Sequence, residues 1–390
     1  MASPHFINGL NAYLNDWLNQ TARLDEADIL RLNPDFNNLL HIVELGLALP
    51  ETREKTSELI IQCFFWVEQL GYHQLWQPLT ALALEKISAE HETLRFRLLK
   101  QLGQWQRLQY QLDKAIATLQ EAERLAKNLA NLEAVAEVHM NLCQVYHLMG
   151  EYKTAEQYGL MALESLPPDS LRLRSITLRT LGLLSQEHGM LNQAESYLQD
   201  SLKYAESPKE KSYSLNVLAV IYQHKEKNEW ALNAYSEALS LLNGAANINF
   251  LAEVRLNKGG LLYSMGQLDE AEAEFKTVEA LLHQRPGFFF HKARIANNLG
   301  CVLRDKKMYP AAEICFRRSI QQFSQVGSGI FEANAWGNLA KTHSQQGRVQ
   351  EAVHGFDRAI ELMSSFPNNA FAQKSLDTYT RLRADLARPD

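Results

Sequence analysis

The sequence lacks long apolar runs, clustered cysteines and a strong charge of either sign. Its longest apolar stretch, residues 60–67, is far too short to cross a bilayer, and the first seventeen residues lack a basic stretch followed by an apolar core. We therefore expect no membrane span and no secretion signal. Only four cysteines occur, and neither CxxC nor paired spacing links them, so we interpret them as small buried side chains in a reducing compartment and expect a cytoplasmic protein.

The charge balance and the absent motifs exclude further classes of protein. The formal net charge is −6, which favours neither nucleic acid nor a membrane surface as the partner. The histidines form no HExxH motif and no Cys/His cluster, so we predict no metal site and no cofactor. Nothing in the sequence places a cysteine at a helix N-terminus or beside a fixed base, and no phosphate-binding loop is present. We therefore predict no catalytic residues and no enzyme.

The sequence does contain one residue pattern that is repeated seven times. An alanine recurs at intervals of 37 to 41 residues, at Ala115, Ala155, Ala194, Ala231, Ala271, Ala312 and Ala352. Four positions after the alanine comes a large apolar residue, at Leu119, Leu198, Tyr235, Phe275, Phe316 and Phe356, and only Gly159 breaks this rule. Self-similarity at this period indicates stacked supersecondary units, so binding is the default function.

Each alanine is preceded by the marks of a helix and a tight turn. A leucine with a small residue lies thirteen and twelve positions earlier in four repeats, at Leu102-Gly103, Leu181-Gly182, Leu299-Gly300 and Leu339-Ala340. A glycine lies five positions earlier in four repeats, at Gly150, Gly189, Gly266 and Gly347, and Tyr110, Glu226 and Lys307 take its place elsewhere. A helix C-cap needs a left-handed conformation at such a position, so the pattern predicts helix, tight turn, helix.

This pattern resembles the tetratricopeptide repeat, whose signature places Leu-Gly, Tyr, Ala, an aromatic residue, Ala and Pro at fixed offsets. The fullest match runs from Asn141 to Pro167. The resemblance implies an all-α fold, a right-handed α-solenoid of about seven or eight stacked antiparallel helix pairs with terminal capping helices. These units exceed the usual length, and in this they are similar to those of kinesin light chains, Leu-Gly-Asn adaptors and bacterial peptide-sensing regulators. All of those proteins bind a peptide or another protein.

Four segments are predicted along the chain. They are an N-terminal helical cap at 1–50, a degenerate unit at 51–90, seven repeats at 91–366 and a C-terminal capping helix at 367–390. The degenerate unit is inferred from Gly71, which lies in the turn position, while Trp76 replaces its key alanine. Aromatic residues concentrate in this region, and we expect them to be buried inside the first units.

The first helix of each pair lines the inner wall in this family, so its groove-facing positions are candidate peptide contacts. The residue before the Leu-Gly pair is an asparagine in four repeats, and two further amides lie on the same predicted face. The full amide set is Asn141, Gln144, Asn257, Asn297, Asn298 and Asn338. Stacked asparagines can donate to and accept from the backbone of an extended peptide at once. The alternative is that they hydrogen-bond the backbone of the neighbouring repeat.

Other groove-facing positions implied by the resemblance carry more basic than acidic residues. The basic residues are Arg97, Lys100, Arg107, Arg179, Arg294, Arg304 and Lys341, and the acidic ones are Glu137, Glu187, Glu253 and Asp305. Arginine pairs bidentately with carboxylates, so this excess suits an acidic peptide or a carboxylate terminus. The alternative is a solvated face whose charges pair among themselves.

The segment Phe288-Phe289-Phe290 has two interpretations. Three consecutive aromatic residues suggest an exposed hook for a partner. However, Phe250 and Phe331 stand at nearly the same phase of the neighbouring repeats, just before a first helix. We therefore favour packing at the repeat junction.

The predicted function is a non-catalytic scaffold or adaptor that binds a partner protein or extended peptide along the groove. The alternative is a ligand-gated or peptide-gated regulatory subunit that controls a separately encoded effector, because arrays with contacts only between neighbours change shape easily. A third option places the contact on the convex face or in the N-terminal 90 residues. The identity of the partner, its acidity and the oligomeric state stay open.

Overall fold

The computed structural model describes residues 2–23, 35–70, 72–242, 248–283, 288–367 and 369–386, and every long regular element in this part of the chain is an α-helix. The helices are α1 Pro4–Arg23, α2 Phe36–Ala48, α3 Arg53–Gln62, α4 Phe64–Leu70, α5 His73–Lys86, α6 Glu92–Leu108, α7 Leu112–Asn128, α8 Leu132–Leu148, α9 Tyr152–Ser165, α10 Leu171–Glu187, α11 Leu191–Tyr204, α12 Pro208–His224, α13 Asn228–Leu241, α14 Ile248–Ser264, α15 Leu268–Leu282, α16 Phe289–Asp305, α17 Tyr309–Gln325, α18 Gly329–Gln345, α19 Val349–Ser364 and α20 Ala370–Leu386. A short 3₁₀ helix lies at Pro50–Thr52. Within the described ranges, no helix combines the length and the apolar character that crossing a membrane requires.

Helices α6 to α19 alternate as the first and second helices of seven consecutive pairs. Every first helix has 17 residues. In the pairs that begin with α6, α8, α10, α14, α16 and α18, the first helix packs on the second, and the second packs on the first helix that follows. The prediction of an all-α stack of helix pairs is confirmed, whereas the handedness of a superhelix stays a prediction.

Contacts between residues divide the chain into two compact units. The N-terminal unit comprises Met1–Lys227 with Ser240–Asn247, and the C-terminal unit comprises Asn228–Leu239 with Ile248–Asp390. The first therefore contains α1 to α12, and the second contains α14 to α20 and most of α13. This division differs in kind from the four predicted segments, whose boundaries stay a prediction.

Small residues let the two helices of a pair approach closely. All seven repeat alanines are fully buried. Opposite them, a Cβ built on Gly300 would lie only 2.6 Å from Cε1 of Phe316, the large residue four positions after Ala312. At Gly159, the one break in the pattern, a Cβ would lie 2.5 Å from Cδ2 of Leu181 in the next first helix. A leucine of α10 therefore fills the space that the second helix itself fills elsewhere, because cores are packed without voids.

The tight turns adopt the left-handed conformation predicted for them. The four turn glycines Gly150, Gly189, Gly266 and Gly347 have φ values of 78°, 72°, 77° and 71°. The non-glycine residues in the same position, Tyr110, Glu226 and Lys307, have φ values of 56°, 57° and 62°. The same backbone turn therefore forms whichever residue occupies it, although a side chain there is strained.

The N-terminal region is helical but departs from the regular pairs. Helix α3 ends at Gln62 and α4 begins at Phe64, so the chain turns at Cys63 between them. Trp76 is fully buried, and its Nε1 donates to the backbone carbonyl of Ile60 at 3.2 Å. Trp17 stacks on Trp66, and both are buried as expected, whereas Phe65, which was expected to be buried as well, is 44% exposed. Gly71 lies outside the described residues.

The start of α16 supports the packing interpretation of the three phenylalanines. Phe290 contacts the rings of Phe323 and Phe331, with centroids 5.7 and 5.1 Å away. Phe288 is half-buried against the core of its unit and has a left-handed φ of 54°. Phe289 is 48% exposed. Two of the three side chains therefore pack at the repeat junction, and the third faces solvent.

Candidate functional site

Consecutive first helices lie closer together than consecutive second helices within each unit, so the first helices form a continuous row. The row is α6, α8, α10 and α12 in the N-terminal unit, and α14, α16, α18 and α20 in the C-terminal unit. We call the predicted groove positions on these rows, together with the hydrogen-bonding partners Gln104 and Asn334, the first-helix face. In the N-terminal unit it comprises Arg97, Lys100, Gln104, Arg107, Asn141, Gln144 and Arg179. In the C-terminal unit it comprises Asn257, Arg294, Asn297, Asn298, Arg304, Asn334, Asn338 and Lys341.

An amide network of Asn297, Asn334, Asn338 and Tyr379 crosses the C-terminal unit from α16 to α20. The Asn338 amide nitrogen donates to Oδ1 of Asn297 at 3.1 Å and to Oδ1 of Asn334 at 3.2 Å. Asn297 donates to the same oxygen of Asn334 at 3.4 Å. Asn334 in turn donates to the phenol oxygen of Tyr379 at 3.2 Å, and burial raises the pKa of that phenol to about 12. The network therefore links three neighbouring first helices through side chains alone.

Asn257 and Asn298 lie on the same row outside this network. Arg294 donates to Oδ1 of Asn257 at 3.3 Å. Burial lowers the pKa of Arg294, and nearby Glu253 opposes that effect. The half-buried amide of Asn298 makes no hydrogen bond to any residue the structure describes. The described side-chain hydrogen bonds of Asn297, Asn334 and Asn338 are thus to other side chains, whereas the alternative interpretation required backbone groups of the neighbouring repeat.

A cationic patch lies on the same face, beyond the amide network. Arg304 donates to Oδ1 of Asp305 at 2.8 Å and to the phenol oxygen of Tyr263 at 2.9 Å, and that phenol donates to Asp305 at 2.5 Å. Lys341 forms no ion pair with any described residue, and its Nζ lies 5.5 Å from the ring centroid of Tyr379. Burial lowers the pKa of Lys341, and the charge of Arg304 lowers it further. The patch therefore carries one positive charge that no carboxylate neutralises.

Of the two predicted amides of the N-terminal unit, Asn141 is hydrogen-bonded to local partners. Asn141 is buried, accepts a hydrogen bond from Nε2 of Gln104 at 3.1 Å and donates to the backbone carbonyl of Glu137 at 2.8 Å. Gln144, one turn further along α8, is half-buried. The structure therefore shows that Asn141 already has partners for both ends of its amide, and the role of Asn141 and Gln144 as peptide contacts stays a prediction.

Two of the four predicted cations of the N-terminal unit form ion pairs. Arg97 pairs with Glu58 at 2.6 Å, and Lys100 pairs with Glu137 at 2.6 Å. Burial lowers the pKa of Arg107, and the charge of Glu68 opposes that effect. The Arg179 guanidinium lies 5.1 Å from the ring centroid of Tyr213, and burial lowers its pKa as well. In this unit, pairing among the charges therefore describes Arg97 and Lys100, whereas Arg107 and Arg179 form no ion pair with a described residue.

Two residues of the network were missed in the sequence, although a signal for each was present. Asn334 precedes Asn338 by four positions, which places both side chains on one face of α18. Tyr379 follows Asn338 by 41 positions, one repeat length, so α20 continues the row of first helices with a tyrosine in place of an asparagine. Periodicity extended past the last repeat would have identified both.

The described residues offer hydrogen bonds and charges but no activated nucleophile. Burial raises the pKa of Cys143 to about 12 and that of Cys301 to about 11, so both thiols are protonated at neutral pH. The buried ring of His139 contacts Glu123 at 3.1 Å, and His147 contacts Glu187 at 3.1 Å. In the described ranges, no group of three or more His, Cys, Asp or Glu side chains is placed to hold a metal ion.

Comparison with known proteins gives one family and several similar folds. The tetratricopeptide repeat model matches residues 291–365. No curated protein matches the sequence. The apo form of the quorum sensor NprR from B. thuringiensis is 17% identical, and the similarity covers 91% of this chain and 99% of that one with a TM-score of 0.59. BtubC (BKLC) from P. vanneervenii is 23% identical over 56% of this chain and 92% of its own, with a TM-score of 0.49. At these identities, the NprR similarity shows the fold.

Proposed function

We propose that the chain is a non-catalytic scaffold that holds an extended segment of a partner protein along the first-helix face of its C-terminal unit, since residues 291–365 match the tetratricopeptide repeat model and the fold is similar to that of NprR. The amide network is the observation that carries this proposal. It presents a row of groups that donate and accept hydrogen bonds, at the spacing of successive helices. An extended peptide has the same alternation of N–H and C=O groups along its backbone.

The network keeps hydrogen-bonding capacity for such a peptide. Asn338 uses both amide hydrogens within the network, and its Oδ1 accepts from no described residue. Asn298 brings a further amide without a partner in the described structure. Each new hydrogen bond to a peptide contributes about 0.5–1.5 kcal/mol net. Because backbone contacts do not distinguish side chains, this part of the face supplies affinity more than specificity.

The cationic patch supplies the specificity. A half-buried, unneutralised Lys341 is costly in the free protein, and a carboxylate from the ligand removes that cost. Arg304 lies beside it, already held by Asp305 and Tyr263, so its position is set before the ligand binds. The ligand that fits is therefore an acidic segment, with a side-chain or terminal carboxylate placed against Lys341.

A displayed library of random twelve-residue peptides tests the proposal. We expect peptides selected on the wild-type protein to be rich in Asp and Glu. The Asn298→Ala/Lys341→Met variant should lose about tenfold or more in affinity, since it removes one neutral and one charge-assisted hydrogen bond. Neither side chain has a hydrogen-bond or ion-pair partner in the described structure, so helicity should stay the same, and the melting temperature should not fall and should rise if the cost of the buried Lys341 charge is removed.

The matched control places the same changes on second helices. Gln321→Ala/Lys276→Met alters two exposed side chains of α17 and α15, and it should bind the selected peptides as the wild type does. Equal affinity for all three proteins would contradict the proposed site. Selection of neutral peptides that still depend on Asn298 and Lys341 would contradict only the acidic ligand.

The similarity to NprR favours a regulatory subunit as the second candidate function. That protein is a quorum sensor, and the shared fold extends over nearly the whole of both chains. A regulator would use the same face and change its dimensions when the ligand binds. Small-angle scattering with a selected peptide distinguishes the two: a smaller radius of gyration supports regulation, and an unchanged one supports a scaffold.

A further inference from the structure

A glutamate recurs on the second helices, immediately after the repeat alanine. It is present in four pairs, as Glu156, Glu195, Glu272 and Glu313. In three of them a basic residue binds it across the crevice to the next first helix: two are C-cap residues of that first helix, and the third, Arg348, is the N-cap residue of the second helix that follows it. Lys225 binds Glu195 at 2.5 Å, Lys306 binds Glu272 at 2.5 Å and Arg348 binds Glu313 at 2.8 Å.

The two lysine pairs share one geometry. Lys225 is the C-cap residue of α12, and its Nζ also donates to Asn192 at 2.7 Å. Lys306 is the C-cap residue of α16, and its Nζ also donates to Asp269 at 2.5 Å. The side chains of Lys225 and Glu195 are only 19% and 16% exposed. The same arrangement therefore occurs twice in this chain: a lysine side chain lies along the crevice and its ammonium group binds a half-buried glutamate.

The crevice between α9 and α10 has the glutamate but not the cation. The C-cap residue of α10 is His188, where α12 has Lys225, and Ser185 stands where α12 has Tyr222. Glu156 forms no ion pair with any described residue and accepts one hydrogen bond, from Gln193 at 3.2 Å. With both large side chains missing, a cavity of about 560 Å³ is open at this place.

The residues that line the cavity are suited to a long cationic side chain, such as the lysine that two of the other crevices contain. Leu184 and Met190 provide an apolar wall, and the rings of Tyr152 and His188 meet edge to face with centroids 3.5 Å apart. The side chain of Ser185 is buried, lines the cavity and makes no hydrogen bond to any described residue. An apolar wall, aromatic rings and a hydroxyl without a hydrogen-bond partner are suitable surroundings for the apolar stem and the charged head of a long cationic side chain.

We propose that this crevice binds a lysine or arginine side chain of a partner protein, with the cationic head on Glu156 and the aliphatic stem against Leu184 and Met190. The other charged groups that line it are Glu151 and Lys153. The two glutamates outweigh the one lysine, so the site attracts a cation. An anionic ligand would be repelled by both carboxylates, and a neutral ligand would leave the charge of Glu156 without an ion-pair partner. The site lies apart from the acidic-peptide site of the C-terminal unit and does not depend on it.

Blocked amino acids serve as probes in an NMR titration of the full chain. N-acetyl-lysine methylamide and N-acetyl-arginine methylamide should shift the backbone amide signals of Ser185 and His188, while N-acetyl-norleucine methylamide, which has a similar stem without the charge, should not. Glu156→Gln should weaken lysine binding about tenfold or more, since it removes a hydrogen bond between two charged groups. Glu164→Gln, at an exposed position on the same helix, is the matched control and should bind as the wild type does.

Two further variants follow from the neighbouring crevices. His188→Lys supplies the cation from within the chain, as Lys225 does, so it should abolish probe binding and raise the melting temperature. Lys153→Asn removes the like charge and reproduces Asn192, so it should tighten lysine binding.

Three results would overturn the proposal. Equal shifts with norleucine would show that the crevice takes apolar stems regardless of charge. Unchanged lysine affinity in Glu156→Gln would show that the cation lies elsewhere. Undiminished binding by a folded His188→Lys protein would show that the neighbouring lysine pairs are no model for this site.

Discussion

Single residues decide how closely the two helices of a pair approach. Helix α14 carries two adjacent glycines, and only the first of them faces the second helix. A Cβ built on Gly259 would lie 2.5 Å from Cε1 of Phe275, whereas one built on Gly260 would meet nothing within 4 Å. Glycine has the same backbone freedom at both positions, but only Gly259 is tightly packed. Substitutions at the two positions therefore distinguish the effect of packing from that of helix propensity.

This contrast gives a prediction for two alanine substitutions. Gly259→Ala should lower the free energy of unfolding by about 1–3 kcal/mol, because the added methyl overpacks the contact with Phe275. Gly260→Ala should raise it by about 0.5–1 kcal/mol, because alanine is the better helix former and space is available. Urea denaturation of both variants measures the two changes. Changes of the same sign would contradict the packing explanation.

Ion pairs join successive elements along the outer side of the pairs, and Glu313 has the most partners among those described. It accepts hydrogen bonds from Arg317 of its own helix α17 and from Arg348, the N-cap residue of α19. Burial by itself would raise the pKa of Glu313, but the two arginines and the nearby His343 outweigh it and bring the pKa to about 2. The charge of this one carboxylate therefore helps to hold α17 and α19 together.

The depressed pKa of Glu313 predicts a pH dependence of stability. A carboxyl group that holds its proton less tightly in the folded state stabilises the fold above its unfolded pKa, and this contribution is lost as the pH falls through the folded pKa. Between about pH 4.5 and 2 the wild type should therefore lose stability more steeply than Glu313→Gln, by roughly 1–3 kcal/mol over the window. Urea denaturation at pH 5 and at pH 3 measures most of this difference.

The control for that prediction is an exposed pair in the same unit. Glu361 pairs with Arg358, and its side chain is 66% exposed, so solvent screens the interaction. Glu361→Gln should therefore follow the wild-type pH dependence. If Glu313→Gln also follows it, the arginine contacts of Glu313 do not stabilise the folded state.

The whole molecule is an array in which stability is local. Within each unit the helix pairs pack on one another in succession, and contacts divide the chain into an N-terminal and a C-terminal unit. Arrays of this kind distribute stability over neighbouring repeats, so that a defect acts mainly on the part that contains it.

Native-state hydrogen exchange tests this locality. Ala115→Leu in the N-terminal unit and Ala312→Leu in the C-terminal unit both overpack a fully buried position, and each should cost about 1–3 kcal/mol. We expect each change to lower amide protection in its own unit and to leave the other unit nearly unchanged. Equal loss of protection in both units for either variant would show that the chain unfolds as a single cooperative body.

Much of the architecture was readable from local rules. The period of the alanines, the turn positions and the buried aromatics all follow from steric needs that act over a few residues, so the sequence carries them directly. The predicted left-handed turns include three positions without glycine, where the regular spacing was the only signal. The face that carries the asparagines also followed from periodicity.

The sequence by itself therefore determined the repeating helix pair, because helix propensity, turn geometry and close packing are short-range. Only the tertiary structure decided which polar groups remain available, because a charge or an amide is satisfied by whatever residue the neighbouring helix brings near it. That partner lies about 40 residues away and follows no fixed rule: Glu137 forms an ion pair with Lys100, whereas no described carboxylate forms one with Lys341. Likewise, Glu156 looks like its three counterparts in the sequence, and only the missing cation opposite it opens a cavity.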